Sequence, residues 1–395
     1  MAPDTPPSLP KQTSSPQKSM RRVLLFLVVL MVALPFGFTS ADDEKKVLPR
    51  PPQYVCLSFD GSGDPRFWNM TLKTARKFNE KHKAKGKSLH FTYFVSGIHF
   101  FPGRHRYKYK SYDYEDGRHK TKRGKAVIRF GGRPSLIKKR IKLLFKSVKE
   151  GHEIGSHVIG HYNGRKWTRF QWKQEFKQFN AVMWPVMKHG KMPDKDEWYD
   201  GPNLVSSLGI VGFRAPFLAT SRGLWPVMKK HGMTYDASGI RKRYLWPRKN
   251  RAGIWRFLLP PLKIAGSGKR TLAMDWNFYY AQTGAKKDTN RKRRLLYQRQ
   301  TLATYRRYFM ANYHGNRAPI HIGHHLVSLN GYGYWRAYRQ FALDVCGLPE
   351  VKCTTYKELM RYMNTLSPET IRAYQRRRFD KTNRPKKYFR RMFRK

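Results

Sequence analysis

The stretch Gly151-His152-Glu153-Ile154-Gly155-Ser156-His157-Val158-Ile159-Gly160-His161 decides how this chain is read. A short run of strand character, Glu153 to Gly155, leads straight into two histidines four residues apart. On a helical turn that spacing sets two imidazoles on one side, as adjacent ligands of Zn²⁺ or a similar ion. The carboxyl end of a strand is also where α/β folds present reactive groups. The chain has 14 histidines, so such a pair also arises by chance, and its weight depends on what stands at the other strand ends.

Four further places answer that condition. Asp60 ends the apolar run Gln53 to Phe59 and is followed by Gly61-Ser62-Gly63-Asp64; an ordinary turn Asp prefers the same context. Arg214 follows the short run Gly209 to Phe213, where a guanidinium can orient a carboxylate through two hydrogen bonds. Asp275-Trp276 lies in an apolar run from Leu272 to Tyr280, read as a strand. His324 and His325 follow Ala318 to Ile322, where a histidine can serve as a general acid. A carboxylate base, a metal-binding pair, an orienting Arg and a His acid make up the set that metal-assisted hydrolysis requires.

Helix-like segments alternate with these strands. They cover Arg66 to His82, Ser135 to Glu150 with Ser135 as N-cap, Ser221 to His231, Asn290 to Asn312, Tyr334 to Val345 and Thr355 to Leu366. The alternation predicts an α/β fold with mostly parallel strands. Residues 101–126 mix Tyr with Arg, Lys and His without core periodicity and read as an exposed insertion. The domain is expected over 53–365, after a Pro-rich linker at 42–52 and before a basic tail at 366–395.

Lys plus Arg is 81 against 25 Asp plus Glu, a formal net charge of +56, which calls for polyanionic surroundings. Nucleic acid, anionic lipid and an acidic envelope polymer all satisfy that. The N-terminus separates them: Arg21-Arg22, an apolar run from Val23 to Phe38 and Thr39-Ser40-Ala41 follow the order of a secretory signal within residues 1–41, with an uncleaved anchor over 23–40 as the other reading. Export, to a periplasmic, secreted or envelope-bound location, sets nucleic acid aside as a partner. Cys346 and Cys353 flank a Gly-Leu-Pro turn and are expected to form a disulfide; Cys56 reads as a buried thiol.

In this order the segments resemble the polysaccharide deacetylase family, carbohydrate esterase family four. Ser58-Phe59-Asp60-Gly61 resembles its first motif, Thr-Phe-Asp-Asp-Gly. Ser156-His157 through His161 resembles the second, His-Ser/Thr-x-x-x-His, and Arg214-Ala215-Pro216-Phe217 the third, Arg-x-Pro-Tyr/Phe. Ile322-Gly323-His324 is similar to the last, Leu-x-His. The resemblance implies a distorted (β/α) barrel of the polysaccharide deacetylase type and removal of N-acetyl groups from an N-acetylglucosamine polymer such as peptidoglycan or chitin. It implies Asp60 as general base, His157 and His161 as ligands of a divalent metal (zinc first, cobalt or nickel as alternatives), Arg214 as the group positioning Asp60, and His324 as the acid. Asp275, or else Asp236, would tune that histidine. Pro216, Phe217, Trp276, Tyr334 and Trp335 are the expected glycan contacts. One departure matters: the family's second Asp, a metal ligand, is Gly61 here. Asp60 itself, Asp64 or water would have to complete the shell, or else the chain holds glycan without turnover. The anionic cell envelope is the partner expected from the charge.

Overall fold

Strand β1, Gln53–Asp60, is buried at every residue, as a strand covered on both faces must be. The computed structural model describes residues 47–111, 122–123, 125–193, 204–241 and 244–381. The expected leader over 1–41 and the tail beyond 381 lie outside the described residues. Around β1 are built β2 (Phe91–Val95), β3 (Glu153–Ser156), β4 (Gly212–Phe213), β5 (Tyr235–Asp236), β6 (Arg248–Lys249), β7 (Trp255–Arg256), β8 (Ile320–His325) and β9 (Val351–Cys353). The sheet runs β8-β1-β2-β3-β4-β5-β7-β6, with β9 beside the first residues of β1. Neighbours are parallel except the edge pair β6 and β7. The architecture is the expected α/β one, a sheet curled into a distorted, open (β/α) barrel.

Nine helices among the described residues cover and plug this sheet: α1 (Pro65–His82), α2 (Pro134–Lys149), α3 (Arg169–His189), α4 (Leu224–Lys230), α5 (Asp275–Thr283), α6 (Arg291–Tyr313), α7 (Gly333–Val345), α8 (Tyr356–Asn364) and α9 (Pro368–Gln375). The larger core, with Leu57, Phe59, Trp68, Tyr93, Phe176 and Tyr338, lies under the helices. A second, with Cys56, Phe94, Tyr235, Phe257 and Tyr356, fills the inside of the curl. Cys56 is a buried free thiol. Glu153 is buried there and its carboxyl accepts from Tyr235 (2.7 Å), Thr92 (2.9 Å) and the Lys357 backbone (2.9 Å). Burial pushes its pKa up against those bonds.

Several expectations change. The run from Leu272 to Tyr280 is a helix from Asp275 onward, not a strand. Its aromatic residues have β propensity, but Asp275 sits in the first turn, where an acid favours a helix. Helix α2 starts at Pro134, with Arg133 in the cap position and no side-chain cap, so Ser135 lies inside the helix. The expected exposed insertion over 101–126 is mixed where it is described: Arg104, Arg106, Tyr107 and Lys110 are exposed but Phe101, Tyr109 and Ser111 are buried, and residues 112–121 lie outside the described residues. The chain beyond 365 continues into α9, where Ile371 and Tyr374 pack in the second core, as does Phe379 just after the helix. Among the described residues no helix is long and apolar enough to cross a membrane.

Cys346, just after α7, and Cys353, at the end of β9, are joined by a disulfide. It closes a short loop and ties α7 to the strand beside β1. Replacing both cysteines by Ser is expected to lower the unfolding free energy by about 2–3 kcal/mol, read from urea midpoints. An unchanged midpoint would mean that the surrounding core already holds this loop.

Candidate active site

The carboxyl ends of β1, β3, β4 and β8 converge because the strands are parallel and their helices return on the outside. Asp60 ends β1, and Arg214 follows β4. Nη1 of Arg214 donates to Asp60 Oδ1 at 2.7 Å and to Ser58 Oγ at 2.8 Å. Its Nε donates to the Ala237 carbonyl (3.0 Å) and its Nη2 to Tyr356 Oη (3.1 Å). The guanidinium also stands 4.4 Å from the centre of the Phe94 ring. Both members of the pair are buried. Burial, the largest single effect, would lower the Arg214 pKa, but Asp60 together with Tyr356 and Tyr235 raises it and holds the cation charged.

His157 and His161 come together with ring centroids 5.0 Å apart, although not on a helical turn. They lie on a loop leaving β3, with Val158 at φ 45° and His161 at φ 59°. Positive φ is costly at a β-branched residue, and the loop is held there from outside. Glu175 of α3 accepts from the backbone N–H of Ile159 (3.2 Å) and Gly160 (3.0 Å), and Tyr109 donates to the same carboxyl group at 2.6 Å. His157 Nδ1 lies 2.7 Å from the Arg214 carbonyl, which leaves Nε2 to face the site. Burial is the main reason both imidazoles stay neutral; the His161 pKa falls to about 2. Neutral imidazole is the form that binds metal.

The fit to a metal is therefore partial. Two neutral imidazoles stand together, and His161 Nδ1 is buried without a hydrogen-bond partner. Among the described residues no cluster of three or more His, Cys, Asp or Glu is arranged to hold an ion. Asp60 is turned to Arg214. Asp64, a candidate ligand, instead caps α1, its Oδ1 accepting from the backbone of Arg66 (2.8 Å) and Phe67 (3.1 Å). The donors suit a two-imidazole site rather than the three-ligand shell usual for catalytic zinc.

On β8 the expected acid, His324, does not share a face with Asp60. The register sets Asp60 opposite His325 and Phe59 opposite His324, and successive side chains of a strand face opposite ways. His325 shares the inner face with Asp60, while His324 points into the helix layer. There His324 Nε2 meets Tyr305 Oη at 2.9 Å and its ring stacks on Tyr338 at 4.0 Å. Burial lowers the His324 pKa to about 4. His325 instead puts Nδ1 2.7 Å from Asp275 Oδ1, and its backbone N–H donates to Oδ2 at 3.0 Å. Its side chain is 25% exposed, against 1% for His324. Burial would lower the His325 pKa, yet the charge and hydrogen bond of Asp275, helped by Asp60, hold it above the ordinary value. Asp236 is not near this histidine; it pairs with Arg256 at 2.8 Å.

The aromatic residues divide. Phe217, 58% exposed and 5.1 Å from the His161 ring, and Trp276, 47% exposed and 6.4 Å from the His325 ring, flank the opening. Pro216 is buried beside Phe217. Tyr334 and Trp335, expected to grip glycan, are 2% and 5% exposed. They lie on the inward stripe of α7, Trp335 against Phe59 and Phe67, and offer no free ring face. Arg140 and Glu175 were not anticipated, because a charged residue within a basic helix carries no sequence mark of burial. Arg140 is buried in α2 and donates to the carbonyls of His99 (3.0 Å), Gly131 (2.6 Å) and Gly63 (2.8 Å).

No protein-family model matches the chain, and no curated protein matches it. Among solved structures it is similar to a Mycobacterium smegmatis protein assigned as a polysaccharide deacetylase, with 15% identity over 82% of this chain and 97% of the other and a TM-score of 0.46. It is also similar to the peptidoglycan deacetylase PdaC of Bacillus subtilis, with 12% identity over 83% and 96% of the two chains and a TM-score of 0.39. A family-four carbohydrate esterase pseudoenzyme from Bacillus anthracis gives 10% identity over 78% and 66%, with a TM-score of 0.38.

The Asp275–His325 pair makes a pH prediction. An imidazole whose folded pKa is raised stabilises the fold below about 6.5, its unfolded value, and that contribution is lost as pH rises through the folded pKa. In ring-proton NMR titrations of the metal-free protein, His325 should titrate above its ordinary value. Asp275→Asn should bring it below, because burial then dominates. An unmoved titration would show that Asp275 does not set it.

Proposed function

We propose that this chain is an exported polysaccharide deacetylase, a hydrolase that removes N-acetyl groups from an N-acetylglucosamine-containing polymer, peptidoglycan before chitin. The observation that carries the reading is the pairing on one inner face of a carboxylate held by Arg214 and a histidine held by Asp275. These are a base and an acid whose environments differ, at a mouth flanked by Phe217 and Trp276. The disulfide favours an oxidising compartment. The net charge of +56 favours an anionic envelope, and neutral chitin gains little from it.

In this mechanism Phe217 and Trp276 bind sugar faces at the rim. Asp60, oriented by Arg214, takes the proton of the attacking water at a carboxylate oxygen. His325 holds a proton on Nε2 while Nδ1 faces Asp275, and delivers it to the departing nitrogen. This role replaces the one expected of His324, which is enclosed by Tyr305 and Tyr338. His157 and His161 would hold a divalent ion, zinc first, which when bound polarises the acyl carbonyl and lowers the pKa of water.

Acetate release from peptidoglycan and from chitooligosaccharides, in added Zn²⁺, tests the reading. Asp60→Asn and His325→Ala are each expected to lower kcat by at least about a hundredfold, while His324→Ala should act on stability instead. A second reading, glycan binding without turnover, is favoured by Gly61 at the place of the family's second carboxylate. Binding of glycan by the folded protein with no acetate released would establish it.

Gly61→Asp bears on both readings. Gly61 has φ 77°, a region Asp enters more readily than most residues, and a Cβ there meets nothing nearer than His99 Cε1 at 4.0 Å. The variant should tighten Zn²⁺ binding about tenfold or more, measured by calorimetry. Unchanged affinity would show that a carboxylate at 61 does not complete a metal shell with the two histidines.

A further inference from the structure

Beyond Asp60, His325 and the pair on the β3 loop, another imidazole stands at this site, and neither the motifs nor the mechanism above uses it. His99 lies in the turn Gly97–Phe100 that follows β2 and is 9% exposed. Its Nδ1 accepts the backbone N–H of Ser62 at 3.2 Å and lies 3.1 Å from Ser62 Oγ. A backbone N–H can only donate, so Nδ1 carries a lone pair. Burial, the largest effect on this ring, holds its pKa down to about 3 and keeps it neutral. A neutral imidazole with a bare Nδ1 has its proton on Nε2.

The position of that Nε2–H is defined by the two glycines beneath it. A Cβ added at Gly63 would stand 3.4 Å from His99 Nε2, and one added at Gly61 would stand 4.0 Å from Cε1. The ring edge therefore overlies the turn where the resembling family carries its second carboxylate. Arg140 ties the two loops together by donating to the carbonyls of both His99 and Gly63. The rings also sense one another, since charge on His157 acts on His99 and charge on His99 acts on His161. Nε2 has no hydrogen-bond partner among the described residues, and it is not one of their sealed, unpartnered atoms.

We infer that His99 is a specificity-determining residue of this site, a fixed Nε2–H donor to the carbonyl oxygen of the sugar's acyl group, in the space left by Gly61 and Gly63. The inference rests on the function proposed above. A protonated Nε2 has no lone pair for a metal, so His99 does not supply the missing third ligand. The site thus exchanges an acceptor at this place for a donor. A donor selects a ligand that brings a carbonyl over one that brings an ammonium group.

The test is affinity by calorimetry for chitotetraose in its fully acetylated and fully deacetylated forms, at high salt to screen the protein's charge. His99→Asn places an amide oxygen near Nδ1, to keep the Ser62 bond, and removes the outer donor; His99→Gln restores an amide N–H near Nε2. His99→Asn should lose about five- to tenfold in affinity for the acetylated ligand, lose nothing for the deacetylated one, and keep its melting temperature. His99→Gln should recover most of the loss. Zn²⁺ affinity should be the same in all three proteins. Equal loss for both ligands, no loss, or a tenfold fall in Zn²⁺ affinity would each overturn the assignment. Should the wild type bind neither oligosaccharide and release no acetate from peptidoglycan, the proposed function fails; a wild type that binds the acetylated form, with His99→Asn indistinguishable from it, overturns this inference alone. Ring ¹⁵N spectra of the metal-free wild type give a readout independent of any variant's folding. The proton should be on Nε2 of His99, and finding it on Nδ1 would overturn the inference.

Discussion

The inside of the curled sheet is organised around one buried cation. Arg214 is wholly enclosed, and taking a guanidinium out of water costs several kcal/mol unless every donor finds a partner. Here the partners come from three separate parts of the chain. Ser58 and Asp60 are on β1, Ala237 follows β5, and Tyr356 opens α8. The aromatic ring of Phe94 on β2 covers the guanidinium plane. Satisfying Arg214 thus requires the curl to close to this degree and α8 to plug its lower end. It also accounts for the orientation of Asp60, whose carboxylate is the single full charge opposite. Removing the carboxylate would strand a buried cation, and removing the guanidinium would strand a buried anion. The geometry of the candidate base and the stability of the fold are the same interaction.

A second constraint is the two-residue period of β8. Asp60 and His325 are register partners on adjacent parallel strands, so their side chains rise on one face, while Phe59 and His324 rise on the other. Two neighbouring histidines in the sequence therefore lie on opposite faces and differ in burial. Asp275 faces both rings, 3.8 Å from His324 Nδ1 and 2.7 Å from His325 Nδ1, yet burial against Tyr338 drives the His324 pKa down while the closer, hydrogen-bonded contact holds that of His325 up. Such divergence between adjacent groups separates a structural imidazole from one able to deliver a proton near neutral pH.

That contrast also explains what could be read from the sequence. Asp60, Arg214 and the His157–His161 segment were legible because each combines an apolar run with a turn signal within a few residues. The choice between His324 and His325 was not, because it depends on register against β1, some 265 residues away. Tyr334 and Trp335 look like exposed sugar-binding rings in isolation, and only the packing of α7 against Phe59 and Phe67 shows them to be core. The aromatic run that became α5 carried opposing signals, β-forming side chains after a helix-starting acid. Glu175 and Arg140 were hidden by composition: in a chain with 81 basic residues, one more Arg in a helix reads as surface.

Those two hidden residues do related work. Val158, His161, Phe217 and Leu218 all adopt positive φ around the opening. Non-glycine residues there cost on the order of 1–3 kcal/mol each, so the loops would relax unless the scaffold held them. Glu175 holds the His157–His161 loop by accepting two of its backbone N–H groups, and Arg140 holds the Gly61–Gly63 and His99 turns by donating to their carbonyls. An acid from α3 and a base from α2 thus fix the backbone of the loops that carry the imidazoles, while leaving the imidazoles themselves unpaired toward the opening. A loop whose side chains must meet a ligand cannot spend them on its own stability. Its conformation has to be set through the main chain, from rigid elements outside it, and that is where this structure places its two unexpected buried charges.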